Sequence, residues 1–203
     1  MNVSNLIRRT IRKVKRILGQ ERDPRLFLLK KMPRSAVCAE IGVWKGDFSI
    51  RIQELTSPKE LHLIDPWEFQ NEFPERMYGG SVAKNQMDMD RIHENVRNKF
   101  NSYQNVIIHR GDSNKILPEF ANAYFDWVYI DGNHDYEDVL KDLRSCLSKV
   151  KPGGIIAGDD YKWEDKEGFP VKRAVHDFIE ENNLENNLEN NLDILDSQFI
   201  IKL

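Results

Sequence analysis

The stretch FDWVYIDGNHDY, residues 125–136, decides the fold of this chain. It starts as an apolar run of strand length, ends on the carboxylate of Asp131, and places a glycine and His134 just before a helical pattern. The design recurs where the apolar residues 155–158 run into the acid pair 159–160. Two adjacent strands with such ends would bring three carboxylates together, so the sequence predicts a functional site at this edge.

A βα rhythm extends outward from this stretch in both directions. Apolar runs predict strands at residues 36–41, 60–64, 106–109, 125–130 and 155–157 and a closing hairpin of residues 194–195 and 199–203, and helical periodicity marks residues 47–55, 90–100, 136–150 and 171–182. Lys151-Pro152-Gly153-Gly154 predicts a turn before the fifth strand. The alternation predicts an α/β fold, in which helices cover both faces of a mainly parallel sheet.

Length and composition predict one globular domain. The chain has 203 residues, 40% of them hydrophobic. It contains no apolar run of about 18 residues, so no membrane span is expected. The start of the chain lacks the uninterrupted apolar core of a secretory signal. The two cysteines, Cys38 and Cys146, are expected to be buried thiols in a reducing compartment, which predicts a cytoplasmic protein.

Charge divides the chain into two parts, residues 1–22 and 23–203. The first part holds seven basic residues and one acid, whereas the second holds 23 basic and 32 acidic residues. Apolar spacing predicts a basic amphipathic helix over residues 3–18. This helix would pack on the domain or on a second subunit of a homo-oligomer, or it would lie on anionic lipid as a peripheral membrane contact or on a polyanion. The acidic remainder argues against broad nucleic-acid binding.

Two further segments depart from the βα pattern. Residues 66–89 form a long connection without a clean period; its aromatic residues predict a lid or substrate insertion, with Trp67 and Tyr78 as candidates for stacking on an acceptor. Residues 182–193 contain three tandem copies of an Asn-Asn-Leu-acid unit. Three copies are too few for a solenoid, so we interpret the repeat as an insertion without chemistry, either helical or a solvated loop.

Motifs at three predicted strand ends carry the binding chemistry. After the first strand, Glu40 precedes Gly42 and Gly46, which let the backbone turn tightly and approach a ligand closely. An acid at this place argues against a nucleotide polyphosphate and suits a cationic ligand. Asp65, after the second strand, can accept both hydroxyls of a ribose or cap a helix. Asp112, in a Gly-Asp-Ser run after the third strand, can accept from an exocyclic amine, cap the following helix, or do both.

The ordered set of motifs resembles the class I S-adenosylmethionine-dependent methyltransferases over about residues 36–203. The set is E-x-G-x-x-x-G, Asp65, Gly-Asp-Ser, Ile-Asp-Gly and Lys-Pro-Gly-Gly. The resemblance implies a Rossmann-like, doubly wound sheet of seven strands with a C-terminal antiparallel hairpin, and a methyltransferase domain spanning residues 23–203. It also implies that the glycine loop wraps the amino-acid part of the cofactor, that Asp65 binds the ribose, and that the acid after the third strand lies near adenine. The residues it assigns to the cofactor are Glu40, Gly42, Gly46, Asp65, Asp112, Ser113 and Asp131.

Within that class, the run Ile-Asp-Gly-Asn-His-Asp-Tyr followed by Gly-Asp-Asp-Tyr resembles a branch that includes metal-dependent O-methyltransferases of sugars and natural products. The resemblance implies that Asp131, Asp159 and Asp160 hold a divalent ion, and three oxygen ligands favour Mg²⁺. His134 is then the best general base, because Asn133 stands where part of the branch carries an acid. Alternatively, Asp131 binds no metal and touches the cofactor or caps a helix, while His134 only orders its loop.

The resemblance therefore implies an enzyme that methylates a hydroxylated small molecule, a sugar or a glycan, with S-adenosylmethionine and Mg²⁺ as cofactors. The alternative is a membrane- or nucleic-acid-associated binding protein that uses the basic N-terminal helix and keeps a vestigial cofactor fold. Binding of the second kind would weaken steeply with salt and would be lost when residues 1–22 are deleted.

Overall fold

Seven strands form a single sheet in the computed structural model, which describes residues 23–184 and 191–203. The strands are β1 (Val37–Ile41), β2 (Glu60–Asp65), β3 (Val106–Arg110), β4 (Phe125–Ile130), β5 (Val150–Gly158), β6 (Leu192–Leu195) and β7 (Gln198–Lys202). Their order across the sheet is β3-β2-β1-β4-β5-β7-β6. Strands β1 to β5 are parallel, and β7 is antiparallel to both of its neighbours. The predicted Rossmann-like α/β sheet with its C-terminal hairpin is confirmed.

Helices flank this sheet on both faces. They are α1 (Pro24–Lys31), α2 (Asp47–Thr56), α3 (Gln86–Phe100), α4 (Ser113–Ile116), α5 (Tyr136–Leu147) and α6 (Pro170–Glu181), with a π-helical turn at Met77–Ser81 and a 3₁₀ turn at Leu117–Glu119. One core cluster joins α5 and α6 to the sheet, and a second joins α1, α2 and α3 to its opposite face. Because both faces are covered, the polar residues that the sheet can offer to a ligand lie at the strand ends.

Strand β4 shows how the central strands are stabilised. Val128 and Ile130 pack in the core that contains α5, whereas Trp127 and Tyr129 pack in the core that contains α2. All four side chains are buried. A buried aliphatic side chain of this size contributes about 1.5–3 kcal/mol to folding, so the strand is held firmly up to its last residue. Asp131, which follows directly, is therefore held in a fixed position by the strand.

Two elements begin at least four residues earlier than predicted, and α5 ends at Leu147 rather than at residue 150, which belongs to β5. Residues 151–154 are not a separate turn but lie within β5, where the pairing with β4 shifts register and so tolerates Pro152, which has no amide hydrogen to donate. Helix α3 begins at Gln86, earlier than predicted. The reason is the Asn85 side chain, which caps the helix by accepting the N–H of Asp88 at 3.0 Å.

Helix α1 has no counterpart among the predicted elements. Asp23 caps it by accepting the N–H of Arg25 at 3.0 Å, and Pro24 occupies its first position. Leu28 and Leu29 are buried in the core beside α2. The Asp-Pro pair is a helix-start signal, but the apolar pattern behind it spans only two turns and is easily overlooked.

Some predictions lie outside the described residues. These are the basic helix over residues 3–18, within the segment 1–22, and residues 185–190 of the repeat. The last copy of the repeat contributes Leu192 to β6. Both cysteines are buried and unpaired, as expected. In the part of the chain that the structure describes, no helix has the length and apolarity needed to cross a membrane.

Candidate functional site

A cleft of about 1480 Å³ opens at the carboxyl ends of the parallel strands. It receives one or more predicted site residues from the end of each of the strands β1 to β4. Those that line it are Glu40, Gly42, Asp65, Asp112, Ser113, Asp131 and His134. Gly46 lies just behind this surface, where it caps α2. The structure therefore brings the predicted residues of four separate motifs into one cavity.

Gly42 lets the loop after β1 meet the end of β4. Its backbone has φ +86°, and a side-chain carbon placed on it would lie 2.1 Å from the carbonyl oxygen of Asp131. The two segments are joined directly, because the N–H of Asp131 donates to the carbonyl of Ile41 at 2.8 Å. Gly46, at φ +69°, completes the turn into α2. Any side chain at residue 42 would separate the loop from the backbone at the end of β4.

Glu40 is a buried acid beneath the glycine loop. It is only 1% exposed and accepts a short hydrogen bond from the hydroxyl of Ser49. Burial raises its pKa well above the usual value, and the charges of Asp131 and Asp65 raise it further. A cationic ligand group in the cleft would relieve this cost, which agrees with the predicted preference for a positively charged ligand.

Asp65 anchors the glycine loop from the end of β2. One oxygen accepts the N–H groups of Val43 and Trp44 at 2.9 and 2.8 Å, and the other accepts the N–H of Trp67 at 2.7 Å. Burial raises the pKa of this carboxyl, against the effect of these bonds. A carboxylate offers about four acceptor positions, so about one remains for a ligand hydroxyl. The alternative that Asp65 caps a helix is wrong, since the chain after it runs irregularly to Met77.

Asp112 and Ser113 occupy the end of the cleft nearest β3. Asp112 is exposed and caps α4 by accepting the N–H of Asn114 at 2.8 Å. Ser113 donates its hydroxyl to Asp142 at 2.5 Å. Asp142, on α5, was not predicted as a site residue. The sequence does mark this residue: Asp142 lies on the apolar face of the predicted helix, beside Leu143, where a charged residue is unusual.

Asp131, Asp159 and Asp160 form a cluster at the ends of β4 and β5. One carboxylate oxygen of each lies within 4.8 Å of those of the others. Burial, and then repulsion from the other two acids, raises the pKa of Asp131 well above its usual value. Burial likewise raises the pKa of Asp159 to about 6, with Gln198 donating to its carboxylate. Three converging oxygens that repel one another fit a hard divalent cation.

Arg25 is an unpredicted cation beside this cluster. Its guanidinium lies 3.9 Å from the Asp131 carboxylate and 5.1 Å from the ring centre of Phe48. It reaches the site from α1, and the contact joins residues far apart in the sequence. Nothing local in the sequence marks Arg25, so only the packing of α1 against α2 reveals it.

His134 and Asp131 line the cleft, whereas Asp159 and Asp160 are not among its lining residues. The Nε2 of His134 lies 3.3 Å from a carboxylate oxygen of Asp160, and its ring centre lies 5.4 Å from that of Trp163. Burial lowers the pKa of the imidazole, although the Asp160 charge raises it in part. The ring is therefore held in a fixed orientation with its neutral form favoured, and a neutral imidazole can accept a proton.

The segment 66–89 contacts the site through Arg76. This guanidinium donates to Asn133, to Asp135 at 2.8 Å and to the hydroxyl of Tyr78 at 2.9 Å. Asn133 in turn accepts the backbone N–H of His134 at 2.9 Å, so Asn133 orders the loop. Tyr78 lines the cleft, but Trp67 is 0% exposed and donates to the carbonyl of Trp44. The prediction that Trp67 stacks on an acceptor is therefore wrong.

Comparison with known proteins agrees with this geometry. A family model described as a methyltransferase domain matches residues 39–161, more than half of the chain. The solved structure of the O-methyltransferase NovP superposes with a TM-score of 0.61 at 20% identity, over 88% of this chain and 79% of that chain.

Two further solved structures share the fold. An S-adenosylmethionine-dependent methyltransferase from Aquifex aeolicus gives a TM-score of 0.54 at 16% identity, over 89% of this chain and 88% of that chain. Fibrillarin from Aeropyrum pernix, with natively bound S-adenosyl-L-methionine, gives 0.55 at 15% identity, over 88% and 73%. No curated protein sequence matches the chain significantly.

Proposed function

The chain belongs to the methyltransferase-domain family and is an S-adenosylmethionine-dependent methyltransferase, and we propose that it methylates a hydroxyl group of a small molecule, sugar or glycan. One observation carries the choice of oxygen as the acceptor atom: His134 and Asp131 both line the cleft, His134 contacts Asp160, and the carboxylates of Asp131, Asp159 and Asp160 converge. A neutral base removes the proton of a hydroxyl, and the cluster suits a cation that stabilises the oxygen left behind.

Glu40 and Asp131 would hold the positively charged amino-acid part of the cofactor, and the Asp112–Asp142 end of the cleft would hold its adenosine. Support comes from the buried, unneutralised carboxyl of Glu40 and from the backbone contact of Gly42 with the end of β4. Asp65 would offer its remaining acceptor position to a ribose hydroxyl while keeping the glycine loop in place.

In the proposed reaction, the imidazole of His134 would take the proton of the acceptor hydroxyl. The cofactor, when bound, would supply the methyl group on its sulfonium sulfur, so that transfer to the acceptor oxygen would leave the methyl ether and S-adenosylhomocysteine. Asp160 would orient the ring of His134, and Arg76 would hold the loop through Asn133. Fixing the reacting groups in this way is the main contribution of the chain to the rate.

Asp131, Asp159 and Asp160 would bind a divalent ion, with Mg²⁺ preferred by an all-oxygen donor set. When bound, the ion supplies positive charge that favours the deprotonated acceptor oxygen. The raised pKa values of Asp131 and Asp159 support the fit, because burial first, and then the neighbouring carboxylates, disfavour the charged forms, and a bound cation would offset both effects.

Binding experiments separate the two parts of the proposal. Isothermal titration with S-adenosylhomocysteine should show saturable binding by the wild type. In the double variant Asp159→Ala/Asp160→Ala, cofactor binding should persist, whereas Mn²⁺ binding followed by electron paramagnetic resonance should be lost. Methyl transfer to a panel of hydroxylated acceptors should also be lost. The control replaces two exposed acids of the same loop, Glu164→Ala/Glu167→Ala. Full Mn²⁺ binding and activity in the first variant would refute the metal site.

A further inference from the structure

One oxygen of the Asp159 carboxylate takes both of the hydrogen bonds that this side chain receives. Its Oδ1 accepts the backbone N–H of Asp160 at 2.7 Å and the side-chain amide of Gln198. In the part of the chain that the structure describes, no donor is bonded to Oδ2. Two donors on one oxygen fix the orientation of the carboxylate and leave the lone pairs of Oδ2 for a cation.

Gln198 reaches Asp159 from the C-terminal hairpin. The antiparallel register of β5 and β7 pairs Gly158 with Phe199, so Gln198 lies beside the residue that follows β5. Gln198 is only 2% exposed. The Oε1 of its amide accepts the hydroxyl of Tyr129 at 2.6 Å, and its Nε2 donates to Asp159. Both ends of the buried amide are therefore engaged.

Only one arrangement of this amide satisfies both of its neighbours. An ionised carboxylate accepts hydrogen bonds and cannot donate, so Asp159 must face the amide nitrogen, and the amide oxygen then requires the phenol to donate. Turning the amide over would place its oxygen against the carboxylate without a proton between them, which is costly for buried groups. Tyr129 therefore anchors the amide of Gln198, and Gln198 in turn holds Asp159.

Tyr129 is a polar group within the core of the sheet. It is 0% exposed and lies on β4, two residues before Asp131, with its ring centre 4.5 Å from that of Phe48. Neither Tyr129 nor Gln198 is among the residues that line the cleft. The two side chains connect the end of β4 with the acid that follows β5, so they fix the acid cluster from behind without occupying the space of a ligand.

We propose that Tyr129 and Gln198 are positioning residues of the divalent-cation site, which hold Asp159 so that its Oδ2 is presented to the ion. The inference rests on the site proposed above for Asp131, Asp159 and Asp160, and it extends that site to two side chains that do not touch the ion. Hydrogen-bond partners that orient a metal ligand are worth about 10- to 100-fold in metal affinity.

Titration of the full-length protein with Mn²⁺, followed by electron paramagnetic resonance, measures the effect independently of activity. Gln198→Met keeps the length of the side chain but removes both hydrogen bonds, so it should weaken Mn²⁺ binding by about 10- to 100-fold. Tyr129→Phe removes only the anchor of the amide and should weaken binding by a smaller factor. The double variant should bind Mn²⁺ no more weakly than Gln198→Met, because Tyr129 acts through Gln198.

Tyr161→Phe is the matched control. This tyrosine follows Asp160 directly and is 7% exposed, but its hydroxyl lies 2.7 Å from Nε2 of His176 and has no bond to the acid cluster. The substitution should keep the wild-type affinity for Mn²⁺. The affinity for S-adenosylhomocysteine should be unchanged in every variant, since neither Tyr129 nor Gln198 lines the cleft, and this binding also shows that each variant is folded.

Wild-type affinity for Mn²⁺ in folded Gln198→Met or in Tyr129→Phe overturns the inference and leaves the metal site itself intact. Additive losses in the double variant, or an equal loss in Tyr161→Phe, also overturn it, because either result indicates general damage to the core. If Gln198→Met does not fold, Tyr129→Phe decides alone, since it keeps the ring in its place. A wild type that binds no Mn²⁺ refutes the proposed metal site and this inference together.

Discussion

Buried acids determine the chemistry of the cleft at the scale of single residues. Glu40, Asp131 and Asp142 have raised pKa values, and burial is the largest cause for each of them. A fold that needed only stability would place apolar side chains at these positions. Their presence at one end of one sheet is best explained by ligands that carry positive charge or hydrogen-bond donors.

Asp142 should make the stability of the free protein depend on pH. Its pKa rises from 3.8 to about 6 on folding. The folded state therefore binds the proton more tightly than the unfolded chain, so this residue adds stability as the pH falls through about 6 towards 4. Near neutral pH the ionised form costs at most about 3 kcal/mol. Asp142→Asn removes that cost while keeping the bonds to Ser113 and Asn114.

Calorimetry measures this effect directly. The Tm of Asp142→Asn should exceed that of the wild type at about pH 7.5, and the difference should shrink as the pH approaches about 4.5. The control Glu137→Gln, which removes a charge from an exposed position of the same helix, should show no comparable trend. A variant less stable than the wild type at neutral pH would show that the carboxylate is stabilising and would contradict the assignment of burial as the dominant cause.

Gly42 and Gly153 form a matched pair for testing the close approach of the glycine loop to β4. Both have positive φ, at +86° and +75°. A side-chain carbon on Gly42 would lie 2.1 Å from the carbonyl oxygen of Asp131, whereas one on Gly153 would have nothing within 4 Å. Gly153→Ala should cost only the roughly 1–2 kcal/mol of the strained backbone. Gly42→Ala should cost more and should weaken S-adenosylhomocysteine binding by more than about tenfold. Urea denaturation and titration test both, and equal losses for the two variants would argue against the contact.

At the scale of elements, the segment 66–89 is joined to the loop that follows β4 by Arg76. Its side chain is 17% exposed, and its guanidinium bridges the segment to Asn133 and Asp135. Arg76→Gln should speed limited proteolysis of the segment and should lower turnover by roughly tenfold through misplacement of His134. S-adenosylhomocysteine binding should change much less, because Arg76 does not line the cleft.

Arg91 supplies the control for this prediction. It lies on α3, is 73% exposed, and pairs with Asp88 at 2.6 Å. Removing an exposed pair of this kind changes stability little, so Arg91→Gln should leave both proteolysis and turnover unchanged. An unchanged Arg76→Gln, or equal effects of the two substitutions, would contradict the role of Arg76 in positioning the loop.

An element could be predicted from the sequence when the residue pattern that determines it lies within the element itself. Strand β4 was predicted with its bounds unchanged, since an apolar run buried on both faces is visible in the sequence alone. The start of α3 was missed because the cap at Asn85 acts within an otherwise polar segment. The contact of Arg25 with Asp131 could not be predicted, because it depends on where α1 packs after the sheet has formed.

At the scale of the whole molecule, the strand order explains why a few short motifs form one site. The register of β4 against β5 pairs Ile130 with Gly158, so the residues that follow, Asp131 and Asp159, are also neighbours. The sequence predicted this adjacency from two similar strand ends. It did not predict Asp142, whose partner Ser113 belongs to a different motif at the far side of the sheet.

The central claim is that one cleft binds S-adenosylmethionine across the ends of β1 to β4 and a divalent ion at the ends of β4 and β5. A crystal structure of the protein with S-adenosylhomocysteine and Mn²⁺ tests it most directly. We expect the amino-acid part of the ligand between Glu40 and Asp131, adenine near Asp112 and Ser113, and an anomalous peak coordinated by Asp131, Asp159 and Asp160. A ligand bound elsewhere, or a fully occupied cofactor with no anomalous peak at the three acids under saturating Mn²⁺, would contradict the account.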